Sequence, residues 1–177
     1  MTNWQTATES TLKTWVSKPR LGIITDVDGT LSPIVNRPED AEVTARAKHL
    51  LTKLLPHCTL VAAISGRAAA DIHGRVGVEG MVYVGNHGLE RWQDGGVVIP
   101  PDVAAHRPAV EAALAELPDL LDKHDGAMIE DKGPTLTVHY RNVAEPDRFA
   151  TRMRPLVRKV TEKHGLRLYE GRMIFEI

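Results

Sequence analysis

The chain has 177 residues, a formal net charge of -1 and a single cysteine, Cys58. This length suffices for one compact domain or two small ones, and the near-neutral charge argues against nucleic acid or an anionic membrane surface as a partner. No apolar run approaches the roughly 20 residues that a bilayer span requires. A single cysteine excludes an internal disulfide, and the N-terminus lacks the pattern of a signal peptide, so we expect a cytoplasmic location.

The first part of the chain alternates apolar runs with segments of helical periodicity. Residues 1–18 are predicted to form a polar leader with a short helix. The predicted strands are 21–26, 60–64 and 81–84, and the predicted helices between them are 40–55 and 68–75. The first two runs are continuously apolar, which is typical of strands buried on both faces. The strand–helix order predicts a parallel sheet with right-handed crossovers, and therefore an α/β fold.

Polar residues follow each of these three strands. Asp26 and Asp28 come after the first, Ser65 after the second, and Asn86 with His87 after the third. Ligands of open parallel sheets bind at the carboxyl ends of the strands. The sequence therefore predicts one ligand site at this edge of the sheet.

Asp26 and Asp28 are spaced so that both side chains leave the strand on the same side. Gly29 and Thr30 continue into a turn, whose N–H groups we expect to be available to an anion. Such a place suits a divalent cation and a phosphoryl group, and a carboxylate there can attack phosphorus. The alternative is a structural turn in which aspartate caps the backbone and glycine supplies a positive φ. The buried strand and the other polar clusters favour the chemical interpretation.

The pattern changes from about residue 90. A hairpin is predicted at 89–92 and 97–99, and the later strands at 127–130, 135–140, 167–169 and 173–177. Helices are predicted at 103–124, with a kink or break at Pro118, and at 146–164, with a bend at Pro155. This half is predicted to place helices on one face of a mainly antiparallel sheet. The resulting domains are a leader at 1–18, a core at 19–90 and a smaller domain at 91–177.

Several short motifs carry a family resemblance. They are Asp26–Ile34, Ile64–Arg67, Gly85–Glu90, Glu130–Gly133 with Thr137–Arg141, and Gly171–Arg172 with Phe175–Ile177. In this order they resemble the trehalose-6-phosphate phosphatases, which are haloacid dehalogenase-like phosphatases. The resemblance implies a Rossmann-like parallel sheet core with an inserted α+β cap domain at 91–177. The chain stops inside an apolar strand, so we expect a C-terminal cut that leaves the core without its last strands.

The resemblance implies hydrolysis of trehalose 6-phosphate to trehalose and phosphate. Asp26 would be the nucleophile that forms an aspartyl-phosphate, and Asp28 would protonate the departing sugar oxygen and then activate water. Mg²⁺ would contact the Asp26 carboxylate and the main-chain carbonyl of Asp28. Ser65, Gly66 and Arg67 would bind the phosphate. A cation is physically required here, because a carboxylate and a phosphate monoester repel each other.

The remaining candidates are substrate-binding residues. They are Asn86, His87, Glu130, Lys132 and Glu176. Carboxylates and an ammonium group suit the many hydroxyls of a disaccharide. Alternatives stay open, since Glu130 and Lys132 also fit an ordinary surface pair, His87 also fits a backbone contact, and Glu170 competes with Glu176.

We therefore expect a Mg²⁺-dependent phosphatase acting on a small sugar phosphate. The resemblance also implies a later lysine and later acidic residues that this chain lacks, so we expect little or no turnover from the chain alone. One alternative is a non-catalytic module that binds a sugar phosphate or a partner protein. Another is a phosphatase of a different sugar phosphate, such as sucrose phosphate or glucosylglycerol phosphate. No pattern in the chain specifies an oligomeric state.

Overall fold

The computed structural model describes residues 13–35 and 37–177. The chain divides into two compact units, of which the first ends at Val98 and the second comprises Ile99–Ile177. Most of the predicted leader lies outside the described residues, and its described part contains α1 (Lys13–Val16). No helix in the described part of the chain is both long enough and apolar enough to span a bilayer.

The first unit is built on a mixed sheet, and the predicted α/β class is confirmed. Its strands are β1 (Gly22–Thr25), β2 (Leu60–Ile64), β3 (Val82–Gly85), β4 (Glu90–Gln93) and β5 (Gly96–Val98), and its longer helices are α2 (Ala45–Leu54) and α3 (Ala69–Val76). The strand order is β1-β2-β3-β4-β5. The first three strands run parallel, as predicted, and the last two are antiparallel. Within the described residues, β1 is an edge strand.

One face of this sheet packs against α2 and α3. Buried side chains from the sheet and both helices form the core, among them Val61, Ala63, Tyr83, Leu51 and Ile72. On the opposite face Ile24 is exposed at 62%, whereas Ala62 beside it is buried. The prediction of burial on both faces is therefore wrong for β1 among the described residues, whereas β2 buries three consecutive side chains at its centre and is exposed at its two ends.

The helix predicted from residue 40 begins later, at Ala45. Thr44 adopts an extended conformation and its Oγ1 accepts a hydrogen bond from the Ala47 N–H at 3.2 Å, which caps the helix. Ala41 and Val43 are buried ahead of this cap, in an extended segment. Val43 fits the helical spacing in the sequence, although it packs into the core as part of the preceding segment.

The predicted hairpin extends the first sheet. Trp92 pairs with Tyr83 across β3 and β4, and its ring stacks on His73 of α3 with 4.4 Å between ring centroids. The division between the units lies after Val98, whereas the sequence analysis begins the smaller domain at residue 91.

The second unit packs helices on an antiparallel sheet, as predicted. Its strands are β6 (Met128–Asp131), β7 (Leu136–His139), β8 (Tyr169–Gly171) and β9 (Ile174–Glu176), and its helices are α4 (Pro101–Ala104), α5 (Arg107–Leu121) and α6 (Pro146–Lys163). The strand order is β6-β7-β9-β8. Leu117, Val138, Met153 and Phe175 lie at the centre of its core.

The single helix predicted at 103–124 is two helices. The break falls before Arg107, and Pro108 occupies the first turn of α5, where its missing N–H needs no partner. Pro118 lies inside α5, three residues before its last residue, so the predicted break there is wrong.

Candidate functional site

The strand ends of the first unit bring three of the predicted site residues to one edge of the sheet. Asp26 directly follows β1, Ser65 follows β2 and Asn86 follows β3. These strands are paired in parallel, with Thr25 beside Ala63 at the last pair of β1 and β2. Their carboxyl ends therefore lie side by side, as the sequence analysis expects.

Main-chain hydrogen bonds join the loops after β2 and β3. The N–H of Asn86 donates to the carbonyl of Arg67 at 2.9 Å, and the N–H of His87 donates to the carbonyl of Ser65 at 3.1 Å. Asn86 and His87 both have positive φ, at 47° and 57°, which is uncommon for residues other than glycine. Asn86 is fully buried and His87 is exposed. This conformation holds the loop after β3 against the loop that carries Ser65.

The turn after β1 is closed by its own hydrogen bonds. The carbonyl of Val27 accepts from the N–H groups of Thr30, Leu31 and Ser32, and the N–H of Gly29 donates to the Ser32 carbonyl at 2.8 Å. Gly29 has a φ of 85°, which explains a glycine here. The expectation that these N–H groups are available to an anion is wrong, because the turn uses them itself.

Asp26 and Asp28 differ in what holds their side chains. Asp26 is exposed, and its Oδ1 accepts a hydrogen bond from the Val27 N–H at 2.7 Å. Asp28 is bound through both carboxylate oxygens by Arg67, whose Nε and Nη2 donate at 2.7 and 2.8 Å. Such a two-point contact fixes the carboxylate plane as well as its position. Arg67, predicted to bind phosphate, therefore also orients Asp28.

A chain of ion pairs continues from Arg67 into α3. Arg67 Nη1 donates to Asp71 at 2.9 Å, and Asp71 accepts from Arg75 Nε at 2.8 Å. Arg75 in turn donates to the carbonyls of Glu39 and Ala41, ahead of α2. Burial raises the pKa of Asp71, but the hydrogen bonds from Arg75 and Arg67 outweigh it, so this pKa lies below its ordinary value.

Two residues to which the sequence analysis assigned no role fix the start of α3. Glu90 is buried, and its Oε1 accepts a hydrogen bond from the Ala69 N–H at 2.6 Å, which satisfies a helix N-terminus that Ala68 cannot cap. Gly85 lies so close that a β-carbon on it would overlap the main-chain nitrogen of Ala69. The available sequence signal for Glu90 and Gly85 is the motif Gly85–Glu90, which they end and begin.

The described residues contain no group of three or more His, Cys, Asp or Glu side chains arranged for a metal ion. The Asp26 carboxylate and the Asp28 main-chain carbonyl nevertheless supply oxygen donors, the type that Mg²⁺ prefers. Mg²⁺ commonly retains several waters and is bound by one or two carboxylates together with phosphate oxygens. The donor set therefore fits Mg²⁺ as a partial site.

In the second unit, the predicted sugar-binding residues meet on the sheet face opposite the helices. Register places Glu130 and Glu176 on either side of Thr137, on three neighbouring strands. Lys132 Nζ lies 3.4 Å from Glu176 Oε1, and His139 Nε2 lies 2.8 Å from Glu130 Oε2. These five residues form what we call the outer-face cluster.

Glu170, the alternative to Glu176, lies apart from the outer-face cluster. It is paired with Phe175, a core residue, and its Oε1 accepts from Arg154 of α6 at 2.7 Å. The hydrogen bond from Arg154 holds the pKa of Glu170 below its ordinary value. Among the two carboxylates, Glu176 alone shares the sheet face of Glu130.

Arg107 fixes the turn that carries Lys132, a role that the sequence analysis missed. Its Nη1 and Nη2 donate to the two oxygens of Asp131 at 2.6 and 2.7 Å, and Nη1 also donates to the Gly133 carbonyl at 2.8 Å. The hydrogen bond from Arg107 lowers the pKa of Asp131 below its ordinary value. Asp131 is thereby held on the helix side of the sheet, while Lys132 extends over the outer face.

The chain is similar in sequence to known proteins. A family model described as trehalose-phosphatase matches residues 24–177. The trehalose-phosphate phosphatase of Mycobacterium marinum is 39% identical over 160 residues, which are 90% of this chain and 40% of that protein. That of Mycobacterium leprae is 40% identical over 153 residues, which are 86% of this chain and 35% of that protein.

A solved structure shares the fold. The C-terminal domain of the trehalose-6-phosphate phosphatase of C. albicans superposes with a TM-score of 0.74 at 24% identity, covering 93% of this chain and 59% of that one. The chain spans 40% or less of the length of the two mycobacterial relatives. Because the family model extends from β1 to the last residue of the sequence, the chain belongs to the trehalose-phosphatase family.

Proposed function

We propose that this chain serves the hydrolysis of trehalose 6-phosphate to trehalose and phosphate, with the phosphate bound by the first unit and the sugar by the second. The observation that carries the proposal is the meeting of Asp26, Ser65 and Asn86 at one edge of a parallel sheet, in a chain of this family. The outer-face cluster supports the sugar half, because it gathers carboxylates and an ammonium on one surface.

In the proposed reaction, a carboxylate oxygen of Asp26 attacks phosphorus and the bond to the sugar oxygen breaks. Asp28 gives its proton to that oxygen, and afterwards takes a proton from the water that cleaves the aspartyl-phosphate. Both oxygens of Asp28 accept hydrogen bonds from Arg67, so Asp28 must exchange one of these contacts for the leaving oxygen. Ser65, with Gly66 and Arg67, binds the phosphoryl oxygens.

Mg²⁺ is the proposed cofactor, held by the Asp26 carboxylate and the Asp28 main-chain carbonyl. When bound, it supplies the positive charge that lets an anionic nucleophile approach an anionic phosphate. The protein's own contribution is to hold the Asp26 oxygen by the Val27 N–H and to keep Arg67 close to the reacting charges.

The proposed sugar contacts of the second unit come from Glu130, Lys132 and Glu176. In the first unit, Asn86 and His87 remain proposed substrate-binding residues. Because the chain spans less than half of the mycobacterial relatives, ligand binding is a more direct readout than turnover. Calorimetry should show that the purified chain binds trehalose 6-phosphate in the presence of MgCl₂. Glu130→Ala and Lys132→Ala should weaken this binding but leave binding of inorganic phosphate unchanged.

The comparison ligand is sucrose 6-phosphate, which differs in its second sugar ring. Equal affinity for both ligands would contradict the choice of trehalose, and no detectable heat at millimolar trehalose 6-phosphate would contradict the function. Any phosphate release should disappear in Asp26→Asn.

A non-catalytic sugar-phosphate-binding module is the second candidate. The observation that favours it is the two-point hold of Arg67 on Asp28, which occupies the group needed for proton transfer. Binding of trehalose 6-phosphate without any phosphate release that depends on Asp26 would select this alternative.

A further inference from the structure

The outer-face cluster contains a residue that no assignment above explains. Thr137 lies in β7 between Glu130 and Glu176, and it is 0% exposed although it faces away from the helices. Among the described residues, its Oγ1 is a buried side-chain oxygen with no hydrogen-bond partner. Most buried hydroxyls in proteins are hydrogen-bonded, and an unpaired one destabilises the fold. The described residues therefore leave this hydroxyl without the hydrogen-bond partner that a buried hydroxyl needs.

The ion pair of Lys132 and Glu176 lies on the same face of β7 as Thr137 and can cover it. Lys132 lies in the turn after β6 and Glu176 lies in β9, and β7 runs between these two strands. A contact between their side chains must therefore cross β7 on the face that carries Thr137. The side chains of Lys132 and Glu176 are 11% and 17% exposed, as expected of groups that lie flat across a sheet.

The ion pair that forms this cover is long. The Nζ–Oε1 distance is 3.4 Å, whereas charge-assisted hydrogen bonds of this type are commonly about 2.7–2.9 Å long. A hydroxyl that enters here can accept from Lys132, donate to Glu176 and reach the Thr137 oxygen beneath them. A neutral hydroxyl suits this position better than an anion, because the two carboxylates of Glu130 and Glu176 flank it.

We propose that Thr137 is a sugar-binding, specificity-determining residue whose Oγ1 pairs with a substrate hydroxyl that enters between Lys132 and Glu176. This inference rests on the proposed function and extends its sugar half by one residue. The ligand group is then an uncharged alcohol of a polyol. The sugar separates Lys132 from Glu176, whose ion pair is 3.4 Å long, when this hydroxyl binds.

The test compares two substitutions of Thr137 with a matched buried threonine. Thr137→Val keeps the shape and removes the hydroxyl, whereas Thr137→Ser keeps the hydroxyl. The control is Thr161→Val, because Thr161 is 1% exposed and its Oγ1 donates to the Arg158 carbonyl at 2.9 Å. All are made in the full chain carrying Asp26→Asn, so that no substrate is consumed, and titrated with trehalose 6-phosphate and with inorganic phosphate.

We expect Thr137→Val to weaken trehalose 6-phosphate binding about fivefold, the worth of one hydrogen bond, and to leave phosphate binding unchanged. Thr137→Ser should bind within about twofold of the parent chain. Thr137→Val should also keep or raise the melting temperature, because no bond within the protein is lost, whereas Thr161→Val should lower it without changing the affinity for the sugar phosphate.

Three results overturn the inference in distinguishable ways. Unchanged trehalose 6-phosphate affinity in Thr137→Val refutes the role of Thr137 and leaves the proposed function standing. A fall in melting temperature as large as that of Thr161→Val shows that the hydroxyl has a structural partner. Absence of trehalose 6-phosphate binding by the parent chain refutes the proposed function and this inference together.

Discussion

The ion-paired side chains around Arg67 in the first unit and the outer-face cluster in the second unit differ in how firmly their polar groups are held. In the first unit, Asp28 is bound at two points by Arg67, and Asp71 pairs with two arginines. In the second unit, the Lys132–Glu176 pair is long and Thr137 has no partner among the described residues. Phosphoryl transfer gains from charges that are fixed before the ligand arrives, whereas sugar recognition leaves donors and acceptors for the ligand to satisfy. This difference is expected if the first unit binds the phosphate and the second unit binds the sugar, as proposed.

The largest effect is expected for Gly85→Ala, which tests the close packing of β3 against the start of α3 in the first unit. Its β-carbon would overlap main-chain atoms of Ala69, which cannot move without displacing α3 and the loop before it. We expect a loss of about 3 kcal/mol or more in unfolding free energy, measured by urea denaturation. The control is Gly96→Ala, where no atom lies within 4 Å of the added carbon. Similar stability of the two variants would show that the close approach of β3 and α3 is unimportant.

Arg67→Ala tests the ion pairs themselves. The side chain of Arg67 is 14% exposed, and its removal leaves Asp28 and Asp71 without their shared partner. We expect a loss of about 2 kcal/mol, less than for a fully buried pair because both carboxylates are partly exposed. Arg148→Ala is the control, since its pair with Glu145 is open to solvent and should contribute less than about 0.5 kcal/mol. Equal effects would remove the contrast between the two units.

Arg107→Ala tests whether the turn of the second unit is also prearranged. Arg107 binds both oxygens of Asp131 and the Gly133 carbonyl, but both side chains of the pair are about one-third exposed. We expect a stability loss of about 1 kcal/mol and weaker binding of trehalose 6-phosphate, with phosphate binding unchanged. Weakened phosphate binding would contradict the assignment of separate tasks to the two units.

Acid should affect stability through Asp71. Its pKa in the folded chain lies below the ordinary value of 3.8, because the hydrogen bonds from Arg75 and Arg67 outweigh its burial. The carboxylate therefore stabilises the fold above that value, and the contribution is lost as the pH falls through the lowered pKa. Thermal melts across this acidic range should show a steeper loss for the wild type than for Asp71→Asn. Parallel curves would indicate that the pair contributes little.

In the first unit, the position of a residue directly after a predicted strand indicates correctly where it lies in the fold. The sequence predicts that Asp26, Ser65 and Asn86 lie together, because parallel strands align their carboxyl ends. The partners of these residues were not predictable in the same way. Arg67 and Asp28 are 39 positions apart, and Arg107 and Asp131 are 24 apart, so their contacts depend on tertiary packing.

Burial was the other quantity that the sequence did not determine. The apolar run of β1 predicts cover on both faces, but Ile24 is 62% exposed. In the sequence, Thr137 is an ordinary strand residue. Only the structure shows that its hydroxyl has no partner among the described residues and that Lys132 and Glu176 pair on the same face of the sheet. The positions of residues at strand ends can thus be predicted from the sequence. The side chains that bind or bury them cannot, because those contacts depend on tertiary packing.

The most direct measurement of the central claim is a map of amide chemical shifts by NMR during two titrations of the full chain, one with trehalose and one with inorganic phosphate in MgCl₂. We expect trehalose to shift the amides around Glu130, Thr137 and Glu176, and phosphate to shift those around Asp26 and Ser65. Shifts from trehalose that leave the outer-face cluster untouched, or from phosphate that bypass the strand ends of the first unit, would contradict this division.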